Sequence, residues 1–106
     1  MGIDQALIEE IVRRVLQTIQ PERIILFGSA ASGRMTPDSD IDLLIIKNPP
    51  LDGRKDGVRV RQALRGLGFP FDVIVMGIER FEETKDIIGG IAYPACKYGK
   101  VIYEAS

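Results

Sequence analysis

The sequence predicts one α/β domain in which helices and strands alternate along the chain and pack as a compact sandwich. Three observations predict it. Apolar residues recur at helical spacing from Ile3 to Ile19. Short apolar runs of strand length follow at Ile24–Phe27, Ile41–Ile46 and Val73–Met76. Pro, Gly and Asn punctuate the chain between them. The 106 residues suit a single domain, spanning 1–106, large enough to bury a core.

The first element is an amphipathic helix. Ile3, Leu7, Ile8, Ile11, Val12, Val15, Leu16 and Ile19 trace its apolar face, with Glu9, Glu10, Arg13, Arg14 and Gln17 outside, and Pro21 stops it. Arg23 to Phe27 is the first strand, left through the turn Gly28-Ser29. Ala30 to about Met35 has the makings of a short helix, followed by the turn Pro37-Asp38-Ser39. Asp40 to Lys47 is the second strand, ended by Asn48-Pro49-Pro50.

Asp52 to Leu67 predicts a helix whose apolar stripe is Val58, Ala63, Leu64 and Leu67, among Arg54, Lys55, Arg59, Arg61 and Arg65. Gly66 and Gly68 close it. Phe69 to Met76 is the third strand, apolar on both faces as expected of a strand covered on both sides. Glu79 to Ile88 is a helix ended by Gly89-Gly90. Tyr93 to Tyr98 adds a turn of helix, and Val101 to Glu104 a short edge strand.

Composition narrows the chemistry. Fourteen Lys and Arg against fifteen Asp and Glu give a net charge of -1, without the basic bias of a non-specific nucleic-acid binder. The lone Cys96 excludes an internal disulfide or a cysteine zinc site, and the absence of His removes His bases and Ser-His triads. Carboxylates, hydroxyls, Lys, Arg or a metal must do the work. No apolar run approaches the roughly 20 residues that span a bilayer, and no leader pattern opens the sequence, so a cytoplasmic location is expected.

Three acids stand out. Asp40 and Asp42, two apart at the start of a strand, share one face with Cα atoms about 6.6 Å apart. Such a pair can converge on divalent ions ~3.5–4 Å apart. Taken alone, the pair reads more often as a capped, solvated strand start. Asp72 interrupts an apolar strand and requires a cation or an open sheet edge. If the third strand lies beside the second, Asp72 joins the other two, and hard oxygen ligands suit Mg²⁺. Gly28-Ser29 offers a bend, a hydroxyl and free N–H groups, fitting the terminal phosphates of a nucleotide or an ordinary helix cap. No Gly-Lys-Ser/Thr follows, so it is not a P-loop.

Gly28-Ser29, ten residues, then Asp40-Ile41-Asp42 resembles the signature of the DNA polymerase β-like nucleotidyltransferase superfamily. The fuller string Phe27-Gly28-Ser29, Gly33, Pro37-Asp38-Ser39-Asp40-Ile41-Asp42-Leu43 resembles the minimal nucleotidyltransferases (MNT proteins) in particular, over nearly the whole chain. The resemblance implies a nucleotidyltransferase fold, a small mixed α/β (α+β) sheet flanked by helices. It implies transfer of a nucleoside monophosphate, AMP from ATP, to an acceptor hydroxyl with release of pyrophosphate. Asp40 and Asp42 would hold two Mg²⁺ ions, Asp72 would complete one metal site and orient or deprotonate the acceptor, and Gly28 and Ser29 would hold the β- and γ-phosphates. MNT proteins resemble antitoxins encoded with HEPN-domain toxins, some of which they neutralise by attaching AMP to a tyrosine. The implied partners are therefore a HEPN-domain toxin, in a hetero-oligomer, and a nucleoside triphosphate, with no nucleic acid or membrane contacted directly. Where the family often carries Arg or Lys after Gly-Ser, this chain has Ala30, and Arg34 offers a nearby charge. An antitoxin acting by occlusion, with a vestigial site, is the alternative.

Overall fold

A computed structural model describes residues 4–28, 39–47 and 53–105. Helix α1, Gln5–Thr18, begins at Asp4, whose carboxylate accepts the Leu7 backbone N–H at 2.8 Å and so satisfies one of the orphan donors of the first turn. Ile8, Ile11 and Val15 are its buried face. Leu16, expected on that face, is 39% exposed, because it falls one residue past the inward stripe. On the outer side, Arg13 and Arg14 hold the Glu10 carboxylate at 2.5 and 2.8 Å and pull its pKa down to about 2. Arg14 also donates to the carbonyls of Ala63 and Arg65, at 3.2 and 2.8 Å, tying α1 to the next helix.

The sheet contains β1 (Arg23–Phe27), β2 (Ile41–Lys47), β3 (Phe71–Gly77) and β4 (Lys100–Glu104) in the order β3-β2-β1-β4. β1 runs antiparallel to β2 and β4, while β2 and β3 are parallel. This is the mixed sheet flanked by helices that the sequence resemblance implied. The sequence pattern placed Asp40 inside β2; the strand begins one residue later. The third strand differs more. It starts at Phe71 rather than Phe69, since Pro70 has no N–H for the ladder and instead accepts the Ile41 N–H at 2.9 Å. It also lies at the sheet edge, where only Val73 is buried, so its apolar run is not covered on both sides as expected.

Helices lie on both faces. α1 and α2 (Gly53–Ala63) cover Ile24, Leu26, Ile41, Leu43 and Ile45 on one side. α3 (Ile78–Thr84) and α4 (Ala92–Tyr98) bring Phe81, Ala92 and Ala95 against Ile25, Leu44 and Ile46 on the other. Leu64 is buried as the expected stripe had it, but the start of α2 is rotated: Val58 is 38% exposed, and Asp56, Gly57 and Val60 face inward. Glycine makes that rotation possible. A Cβ on Gly53 would come within 2.9 Å of the Val75 carbonyl, so the helix lies closer to β3 than a larger residue permits. The buried Asp56 is answered by Lys47 at 2.9 Å. α2 and α3 stop earlier than the sequence pattern predicted, and the predicted short helix at 30–35 lies outside the described residues. Among the described residues no helix is long and apolar enough to cross a membrane.

Candidate active site

Strand alternation decides where the acids point. In β2, Ile41, Leu43 and Ile45 belong to the α1–α2 core, so Asp42 shares the opposite face with Leu44 and Ile46. In β3, Asp72 likewise shares a face with Ile74 and Met76, which pack into the α3–α4 core. The parallel register sets Asp42 directly beside Asp72. On its other side Asp42 is paired with Phe27, the residue before Gly28. One row therefore runs across the sheet as Asp72, Asp42, Phe27, and Asp40 stands just ahead of it.

Asp40 and Asp72 are exposed and Asp42 is half-buried. The Asp42 carboxyl is pushed above its ordinary range, first by burial, then by the Asp72 charge and then by Asp40. Each acid is thus within the electrostatic reach of Asp42. Among the described residues no ion pair reaches any of the three. Nor, among those residues, is any trio of Asp, Glu, His or Cys already gathered as a finished metal centre. The donor set nevertheless fits a hard divalent cation: clustered carboxylates whose mutual repulsion a positive charge would relieve, in a chain without His.

Gly28 adjoins the acids. Its φ of 73° lies in the left-handed region, and a Cβ there would collide with the Asp42 carboxylate oxygen. Only glycine lets the chain leave β1 against that carboxylate. Ser29, Ala30, Gly33 and Arg34 lie outside the described residues. Sequence reasoning passed over one feature on the outer side of α4, the helix that covers this face. The α4 residue Lys97 lies over the rings of Tyr93 and Tyr98, a contact whose only sequence signal is the Tyr93–Lys97 spacing of one helical turn.

Residues 8–91 match the nucleotidyltransferase domain family. The chain belongs to that family. No curated protein matches the sequence. Three solved structures share the fold of this nucleotidyltransferase domain. A toxin–antitoxin with AMP-PNP is 20% identical, with a TM-score of 0.73 over 93% of this chain and 74% of that one. A double Asp→Glu mutant of the toxin–antitoxin MntA-HpeT is 17% identical, with a TM-score of 0.70 over the same shares. A Sulfolobus solfataricus protein assigned as a nucleotidyltransferase is 21% identical, with a TM-score of 0.60 over 98% of this chain and 92% of that one. At these identities the likeness establishes the fold.

Proposed function

We propose that this nucleotidyltransferase domain is the antitoxin of a toxin–antitoxin pair, working as a single domain, residues 1–106, that transfers AMP from ATP to a tyrosine hydroxyl of a HEPN-domain toxin. The observation that carries the proposal is the side-by-side register of Asp42 and Asp72, with Asp40 in the same electrostatic field. The fold shared with a toxin–antitoxin described with AMP-PNP supports the choice of nucleotide and partner.

Asp40 and Asp42 would hold two Mg²⁺ ions, with Asp72 completing one of the two sites. Bound there, Mg²⁺ supplies neutralisation of the charge on the α-phosphate and the triphosphate tail. The remaining work belongs to the chain. Asp72, at the open edge strand, takes the proton of the acceptor hydroxyl as its oxygen bonds to the α-phosphorus and the bond to pyrophosphate breaks. The backbone at Gly28 and the Ser29 hydroxyl hold the β- and γ-phosphates, keeping the leaving group in line. A partner chain completes the site by presenting the acceptor. Ala30, where a basic residue would assist, favours a second reading in which the protein neutralises its partner by occlusion alone.

Labelled ATP, Mg²⁺ and the co-purifying partner distinguish the two. Label should pass to the partner with wild type and fall at least about 100-fold with Asp42→Ala. Neutralisation of the partner by Asp42→Ala as full as by wild type supports occlusion. Absence of both nucleotide and metal binding overturns catalysis.

A further inference from the structure

We propose that α2 carries a docking strip for an acidic segment of the partner protein, formed by Arg54 and Arg61 with Val58 between them and Arg65 at its end. The inference rests on the partner reading of the proposed function and deepens it by giving the chemistry of the partner's contacting surface.

Helical spacing and two contacts with α1 fix where the strip faces. Arg54, Val58 and Arg61 follow one another at i, i+4 and i+7, so they share one flank of α2, and the helix rise sets the two arginines about 10 Å apart along the axis. All three are exposed, as is Arg65 in the turn that follows. The opposite flank meets α1: Arg59 donates to the Thr18 carbonyl at 3.3 Å, and the Ala63 carbonyl accepts from Arg14 at 3.2 Å. α1 reaches across to β4, whereas α2 packs on β3, with Gly53 and Gly57 against the Val75 and Val73 carbonyls. The flank turned away from α1 therefore follows the β3 margin of the sheet. Asp72 is exposed on that same strand but on its other face, so the strip adjoins the place where an acceptor would be presented and takes no part in it.

The charge of the strip is unspent. Among the described residues Arg54, Arg61 and Arg65 make no ion pair. Nearby cations on this side of the sheet are answered: Arg13 and Arg14 by Glu10, Lys47 and Arg59 by Asp56. Asp56 is the only acid of α2 and is buried, so no carboxylate is exposed on the helix itself. Like charges gathered on one flank repel, and carboxylates brought by a partner relieve that repulsion. Val58, 38% exposed between the arginines, gives such a contact an apolar centre. A nucleic acid suits the strip less. Its charge continues along its whole length, whereas a protein surface can present carboxylates over a short stretch and leave Asp72 unopposed.

Titration calorimetry with the purified co-purifying partner tests the assignment. Arg61→Glu should weaken the complex about tenfold at low salt, and the double variant with Arg54→Glu about 100-fold. Lys100→Glu, the same change of charge on the opposite edge strand, should cost less than about threefold. Arg61→Lys should keep most of the affinity, salt at about 0.3 M should narrow the gap between wild type and double variant, and thermal melts should match wild type. In label transfer, Arg61→Glu should raise the partner concentration for half-maximal labelling about tenfold and leave the rate at saturation unchanged. Equal losses in Arg61→Glu and Lys100→Glu overturn the strip in favour of net charge. A loss confined to a labelled single-stranded oligonucleotide, with the partner unaffected, overturns it in favour of nucleic acid. Unchanged affinity in the double variant, with label transfer intact, overturns the strip and leaves the proposed function standing. Wild type that binds the partner through the strip without labelling it keeps the strip and overturns transfer, and wild type that neither binds nor labels overturns both.

Discussion

The two ends of the sheet treat charge in opposite ways. At the end where β2 and β3 finish, charges are matched. Lys47 meets the buried Asp56 at 2.9 Å, and Arg23 reaches Glu104 at 3.8 Å while lying over the Phe81 ring. The cavity lined there by Arg23, Ile46, Phe81 and Glu104 is about 90 Å³, well below the volume a nucleotide needs. At the end where the same two strands begin, Asp42 and Asp72 sit side by side with Asp40 nearby, and among the described residues no cation pairs with them. Charge that serves the fold is neutralised within the chain. Charge left unmatched, on the same sheet and five residues along β2 from Lys47, is the charge that the proposed function assigns to a ligand.

Substitutions at the two ends should therefore differ in sign as well as size. Lys47→Met strands a buried carboxylate, with Arg59 only 4.0 Å away as a residual partner, and should cost about 3 kcal/mol in urea unfolding. A loss under about 1 kcal/mol would erase the contrast between the ends. Gly28→Ala is next. It forces a side chain into the left-handed region and against Asp42, and should cost about 2 kcal/mol. The same variant should lose any stabilisation by Mg²⁺; keeping it would separate Gly28 from the site.

Asp42→Asn gives the smallest effect and the most informative. The folded protein holds the Asp42 proton more tightly than the unfolded chain does. Its contribution to stability is thus greatest below the ordinary carboxylate value and declines as pH rises through the raised one. Asp42→Asn should abolish that decline and stabilise the protein at neutral pH by ~0.5 kcal/mol, the scale of like charges set opposite one another in a sheet. Thermal melts from about pH 4 to about pH 8 check this. Mg²⁺ should raise the melting temperature of wild type but not of the variant. Destabilisation by Asp42→Asn would place the carboxylate in the structural class with Asp56.

The sequence made β1, β2 and the acids legible because they are local patterns: a five-residue apolar strand, alternation, and two aspartates at even spacing. The position of Asp72 beside Asp42 was only a condition there, since which strands are neighbours depends on contacts between distant residues. α2 misled for a related reason. The expected stripe of Val58, Ala63, Leu64 and Leu67 holds at Leu64 and Leu67 and fails at Val58, because the inward face also contains a charged residue, Asp56, and two glycines, Gly53 and Gly57, that bring the helix close to β3 rather than add apolar area.

The hydrogen bond from Ile41 to the Pro70 carbonyl has a consequence for how a cation would be received. Its donor lies between Asp40 and Asp42, and its acceptor lies two residues before Asp72. One main-chain contact therefore fixes how the two acid-bearing strands begin relative to each other, whatever the side chains do. An arriving ion has only the two side-chain torsions of each aspartate left to freeze, and the entropy of bringing the strands together has already been met by folding.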